Sequence, residues 1–260
     1  MTLMTRRSLL IAGTATAGAL LVPVGSAQAA PVTSGRQLTV GSGETYEVAA
    51  TTRLKRLTVA DGGTLTAPGG YGLTLTVDGV ETGQKLTATG GMATVVRPGT
   101  YRGDVVLTVA AANDITYETL TFPFRQALYV DAGGVVRERS VPAAVQGGKL
   151  TGTLARDVSI TSTGECFDGL FVQDGTYTLQ RPVISLTRNG RCDFAGYGAA
   201  VVGDGSATTL VVEGARISTK GVVRTAVISN DGAGTAGPPT SAPRSSRRPG
   251  APCRWRAAAG

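Results

Sequence analysis

The sequence predicts an all-β chain built from repeated, stacked units. Three observations lead there: short apolar runs that alternate with Thr, glycine turns between those runs, and a phrase that recurs late in the chain. Leu57-Thr58-Val59 precedes Asp61-Gly62-Gly63, Thr64-Leu65-Thr66 precedes Pro68-Gly69-Gly70, and Leu73-Thr74-Leu75-Thr76-Val77 runs into Asp78-Gly79. Val105 to Val109, Ile115 to Leu120 and Val158-Ser159-Ile160 continue the pattern. Alternation at period two gives each strand one buried face and one wet face. No window of a dozen residues carries an apolar stripe at helical spacing.

The repeat sets the architecture. Leu170-Phe171-Val172-Gln173-Asp174-Gly175 leads to Thr178-Leu179 and Val183-Ile184-Ser185. Ala200-Val201-Val202-Gly203-Asp204-Gly205 leads to Thr209-Leu210 and Arg216-Ile217-Ser218, and Ala226 to Gly232 begins the phrase again. The Asp-Gly pairs of the phrase begin at Asp174, Asp204 and Asp231. A period in the high twenties with two or three short strands suits one coil of a β-solenoid, in which each coil stacks on the last. On this rhythm residues 50–232 resemble the right-handed parallel β-helix proteins secreted by bacteria, the superfold of pectate lyases. The resemblance rests on repeat and turn pattern and on no catalytic motif. It implies a right-handed parallel β-helix whose C-terminal end is truncated, with a β-sandwich as the alternative.

The ends of the chain differ from this body. Arg6-Arg7-Ser8-Leu9-Leu10, an apolar run from Ile11 to Val24, and Ala27-Gln28-Ala29 make a signal peptide over residues 1–29, with cleavage after Ala29. The pair Arg6-Arg7 resembles the twin-arginine signal read by an exporter of folded proteins. Residues 30–49 form a lead-in, 50–232 the β-helix domain, and 233–260 a basic Pro/Arg/Ala tail. From 237 the tail has no Asp, Glu, Ile, Leu, Val, Phe or Tyr. Such a segment is expected to be disordered. Its composition is that of a GC-rich gene read out of frame, so a frameshift or a truncated gene stands beside a natural tail. The chain is expected outside the cytoplasm, extracellular or associated with the cell wall, with no membrane span after cleavage.

Charge and missing residue types exclude several functions. The formal net charge of +7 suggests nucleic acid at first sight. Yet residues 31–232 hold 18 Lys plus Arg and 18 Asp plus Glu, and all the excess lies in the signal and the tail. The body therefore lacks the basic footprint of a nucleic-acid-binding module. The chain has no His, which excludes Ser-His-Asp and Cys-His catalysis and histidine-ligated metals. Two body cysteines without histidine make no zinc site.

Carboxylates and cations remain as candidates. Asp174, Asp204 and Asp231 recur with the coil, so stacking could align them as ligands for Ca²⁺. The alternative is the turn role of an Asp-Gly pair, as at Asp61 and Asp78. Asp168 and Asp193, with Arg191 between them in sequence and Arg188 close by, form a second catalytic candidate; the alternative is solvated loop charge. Lys149, Arg156, Arg181 and Arg216 read as isolated. Gly164-Glu165-Cys166 and Gly190-Arg191-Cys192 share a Gly-x-Cys start, spaced by roughly one coil. One coil of separation places a Cys166–Cys192 disulfide within reach in an oxidising compartment, the alternative being two reduced, packed cysteines. Cys253 is left over.

Two functions follow. The first is an exported non-catalytic β-helix, surface or matrix associated, that displays a rigid face to extracellular polysaccharide or a cell-surface protein. The second is a Ca²⁺-assisted polyuronate lyase or related carbohydrate-active enzyme, supported by fold analogy alone. A degraded gene product with no function is the third reading. With aromatics at only 5% and no compact cluster of unlike catalytic residues, the non-catalytic reading leads and no cofactor is required.

Overall fold

The computed structural model describes residues 32–34, 37–82, 84–88, 92–117, 120–190 and 198–236. Strands dominate, and the only helical turns among these residues are two 3-10 turns, Arg137–Arg139 and Pro142–Ala144. The chain is all-β.

From residue 154 onward the pairing repeats. Three ladders run side by side, all parallel, and the chain visits them in turn. On the first, Ser159–Ser162 pairs with Val183–Thr187, which pairs with Arg216–Lys220. On the second, Leu120–Asp131 is followed by Phe167–Gln173, Val201–Asp204 and Val227–Ser229. On the third, Leu154–Arg156 is followed by Thr176–Gln180, Thr209–Glu213 and Gly234–Ala236. These are called below the hydroxyl face, the aromatic face and the third face.

Sequence alternation produces this packing directly. In Val183–Thr187, Ile184 and Leu186 are buried while Ser185 and Thr187 lie nearer solvent. Thr209–Glu213 and Thr176–Gln180 show the same period. Because parallel pairing holds equivalent residues in register, like side chains stack into ladders. Ile160, Ile184 and Ile217 form one, and Leu170 stacks on Val201. All five belong to one core that all three ladders enclose. β-branched side chains suit this pleated, buried surface, and each fully buried Ile or Leu contributes about 1.5–3 kcal/mol.

The N-terminal part has its own shorter repeat. Gln37–Val40 pairs in parallel with the end of Thr52–Val59, and Thr45–Glu47 with Thr64–Thr66. Leu38 meets Leu57 and Tyr46 meets Leu65, the same step along the chain in both pairs. The expected lead-in is thus hydrogen-bonded into the sheet from residue 32, where Val32–Ser34 pairs antiparallel with Gln37–Val40. Next the pairing turns antiparallel, a departure from the uniform stack expected over 50–232. The long strand Gly99–Ala111 lies between Thr52–Val59 and Tyr71–Val77, antiparallel to both. Its Val105 and Leu107 enter a second core with Leu57, Leu75 and Val40. The strand bulges between Arg102 and Val105, where Asp78 Oδ1 accepts from Asp104 N at 2.8 Å.

The expected Cys166–Cys192 disulfide is corrected here: Cys166 is a free, buried thiol. The reason is register. A bridge needs the coil at that point to be as long as the spacing between the two cysteines. Ser162 instead pairs with Leu186, a shorter step, and Leu170 with Val201, a longer one. Cys166 N donates to Asn189 O at 3.2 Å. Cys192 lies within 191–197, outside the described residues.

If like-on-like stacking carries the stability, position within the alternation decides the effect of a change. Ile184→Ala, in the middle of the isoleucine ladder, is expected to destabilise by about 2–5 kcal/mol. Ser185→Ala, its outward neighbour, is expected to stay within about 0.5 kcal/mol. Denaturant unfolding of the two variants checks this.

Candidate functional site

The one dense group of buried ionisable side chains among the described residues lies where the hydroxyl and aromatic faces meet. It collects Glu81, Arg125, Cys166, Asp168 and Arg224, each below a tenth exposed. Glu81 comes from the strand Val80–Glu81, which pairs with the hydroxyl face. Arg125 and Asp168 come from neighbouring strands of the aromatic face. Arg224 lies in the segment leading into Val227–Ser229.

Arg224 uses all five of its donors on backbone carbonyls. Nε reaches Arg188 O at 3.0 Å, and Nη1 reaches Phe167 O together with Gly198 O, the latter at 2.7 Å. Nη2 reaches Gly164 O at 2.7 Å and Thr187 O at 3.2 Å. The guanidinium thereby satisfies carbonyls of a corner where the strands end and the ladder cannot. Burial lowers its pKa, and the carboxyls of Asp168 and Glu81 act in the opposite direction.

Asp168, the catalytic candidate, does not face an open groove. It is fully buried, and its Oδ1 accepts from Gly198 N at 2.5 Å. Gly198 is at φ +88, and a Cβ there would fall 2.4 Å from Gly190 Cα, so only glycine allows this approach. Burial raises the Asp168 carboxyl to about 8, against the lowering effect of the Gly198 N–H and Arg224. Glu81 is pushed upward too, chiefly by burial; its Oε2 accepts from Ser162 Oγ at 2.5 Å and from Gly164 N at 3.1 Å. Burial pushes the Cys166 thiol up to about 12. A thiol so protonated is no nucleophile at neutral pH. The group is a buried polar joint, with two arginines set among carboxyls and carbonyls.

The other candidates fall elsewhere. Asp174, Asp204 and Asp231 do converge at one edge of the aromatic face. Asp174 N donates to Asp204 O at 3.2 Å, and the Asp204 carboxyl is pushed up first by burial, then by Asp231 and Asp174. Asp231-Gly232 takes positive φ at both residues, 48 and 82, as does Asp78-Gly79 at 49 and 80, the geometry of a tight turn. Among the described residues no set of three acidic or cysteine side chains is close enough to hold a metal ion. Arg191 and Asp193 lie outside the described residues, as do Arg6, Arg7, Ala27 and Ala29 and the tail from 237. Arg181, read as isolated, bonds Asp157 in a fork, Nε at 2.8 Å and Nη2 at 2.7 Å. Lys149, Arg156 and Arg216 line no site.

Sequence reading missed Glu81, Arg125 and Arg224. Glu81 and Arg125 stand far apart along the chain and carry no motif. Only the break in the Arg224 segment, a charged residue just ahead of an apolar strand, hinted at a corner. The chain matches no protein-family model, and comparison with curated proteins and with solved structures gave no match.

A carboxyl kept protonated by burial makes stability depend on pH. Below about pH 4 Asp168 is protonated folded or unfolded. Between about pH 4 and 8 the unfolded chain ionises while the folded chain holds its proton, so stability falls as pH rises and levels off above that window. Asp168→Asn keeps the acceptor for Gly198 N and removes this contribution. Urea denaturation at pH 5 and pH 8 is expected to show a smaller loss of stability in the variant than in the parent.

Proposed function

We propose that the protein is an exported, non-catalytic, right-handed parallel β-helix, surface or matrix associated, that presents a rigid face to extracellular polysaccharide or a surface protein. The single observation that carries this reading is the in-register outer row of the hydroxyl face, where Thr161, Ser185 and Ser218 stand over one another. Parallel register repeats one polar chemistry at a fixed spacing of about 4.8 Å, a template for a ligand that itself repeats. Hydroxyls donate and accept, which suits glycan hydroxyls and polypeptide amides alike.

The buried group favours the non-catalytic reading over the lyase. Asp168 is enclosed and its neighbours are occupied by backbone, whereas proton abstraction requires a base within reach of substrate. The signal residues Arg6 and Arg7 support export of a folded chain, and a stack of long-range pairings is a fold that gains from folding before it leaves the cell.

The test uses the full chain and a panel of immobilised extracellular polysaccharides and surface proteins. Saturable binding is expected, and the combined change Thr161→Val, Ser185→Ala, Ser218→Ala, which removes the hydroxyls without adding charge, is expected to weaken it at least about tenfold with little change in unfolding. Ca²⁺-dependent release of unsaturated uronides from a polyuronate would overturn the proposal in favour of the lyase. Absence of binding to the whole panel would overturn it as well.

A further inference from the structure

A groove of about 560 Å³ runs along the seam between the antiparallel sheet and the stack, within the size range of small-ligand sites. Its floor is the outer side of Gly99–Ala111, through Val106 and Thr108, each 4% exposed. The 3-10 turns Arg137–Arg139 and Pro142–Ala144 contribute the facing wall.

Two features of the groove are incomplete without a ligand. The Thr108 hydroxyl is buried and has no hydrogen-bond partner among the described residues; Thr74, opposite it in the ladder, is in the same state. A buried hydroxyl left unbonded is unfavourable, and native proteins supply a partner, from solvent or ligand, in most cases. On the rim the charges do not balance. Arg53 is held by Asp104 at 3.2 Å, while Arg137 has no ion-pair partner among the described residues. The lining therefore offers one uncompensated guanidinium beside a hydroxyl. Its apolar members are Val, Ala and Pro, with no aromatic or long aliphatic side chain, so it offers little to anchor an apolar ligand.

We infer that this groove binds a polyhydroxylated ligand bearing one anionic group, a sugar or polyol phosphate, sulfate or carboxylate. The anion is taken by Arg137, whose planar fork matches such oxygens, and ligand hydroxyls bond Thr108 and the Gln146 amide at the groove's edge. The inference rests on the glycan-binding reading above and adds to it a defined site and a ligand class, away from the hydroxyl face.

The experiment is calorimetric titration of the full chain with glucose 6-phosphate, glucose 6-sulfate, glucuronate, glucose and inorganic phosphate. At least one anionic sugar is expected to bind roughly tenfold or more tightly than glucose or inorganic phosphate, and the strongest of the three assigns the anion. Arg137→Gln, an exposed change, is expected to remove most of that preference. Thr108→Val is expected to weaken binding severalfold while the unfolding midpoint of the free protein stays the same or rises. Equal binding of glucose, indifference to Arg137→Gln, or no binding of any anionic sugar overturns the inference. If polymer binding through the hydroxyl face persists in that last case, only the groove is wrong; if it too is absent, the functional reading fails with it.

Discussion

Parallel pairing of each strand with its equivalent one coil later is the constraint on which the second half of this protein depends. Among the described residues from 154 onward, strands pair in parallel with their equivalents in neighbouring coils, and antiparallel partners are added only where Lys149–Leu150 meets Leu154–Arg156 and Val145–Gln146 meets Ser159–Ser162. Backbone amides are therefore satisfied only if the coils stay in register. Register in turn forces like residues over like: Ile on Ile inside, Thr and Ser outside, and Tyr129 on Phe171 with ring centroids 5.4 Å apart on the outer side of the aromatic face. Length differences between coils must go into the corners. The extra chain gained between the Ser162–Leu186 pair and the Leu170–Val201 pair is such a case.

Corners are where the ladder cannot serve every carbonyl, and Arg224 answers that problem at the junction of two faces. One guanidinium takes carbonyls from Gly164 and Phe167 in one coil and from Thr187, Arg188 and Gly198 in the next. Burial lowers its pKa, and carboxyls drawn from distant segments, Asp168 and Glu81, act against that lowering. The chemistry that makes Asp168 conspicuous, a high pKa beside two arginines, arises from this structural duty. Perturbed titration marks functional sites only as a tendency, because structural ionic groups perturb it too. What remains open to ligands is the hydroxyl face and the seam groove, both polar and both rigidly held by the ladders.

The β class and the turn positions were legible because period-two alternation and Asp-Gly pairs act locally: Val183-Ile184-Ser185 and Asp231-Gly232 behave as their own chemistry dictates. The shorter N-terminal repeat was also present, in Leu38-Thr39-Val40 and Leu57-Thr58-Val59, yet its small span hid it beside the longer rhythm. The cysteine pairing was argued from spacing, and spacing equals register only when every coil has one length; the steps from Ser162 to Leu186 and from Leu170 to Val201 differ. The pairing of Arg181 with Asp157 was missed for the same reason, since an ion pair between successive coils is visible only once the register is known. The joint of Glu81, Arg125 and Arg224 was illegible in principle: its members are brought together by the sheets and share no local pattern.

The central claim is that one arginine closes the corner between coils that otherwise hold by backbone pairing. Amide hydrogen exchange on Arg224→Met, run beside Arg224→Lys, tests it most directly. The account predicts a global loss on the order of 3–5 kcal/mol for Met, because five carbonyls, three of them in buried contacts, lose their donor. Lysine, with three donors, should recover only part of it. The earliest loss of protection should fall on Phe167–Gln173 and Val183–Thr187, with Thr52–Val59 retained longest. Exchange in Arg224→Met indistinguishable from the parent across those strands would contradict the account.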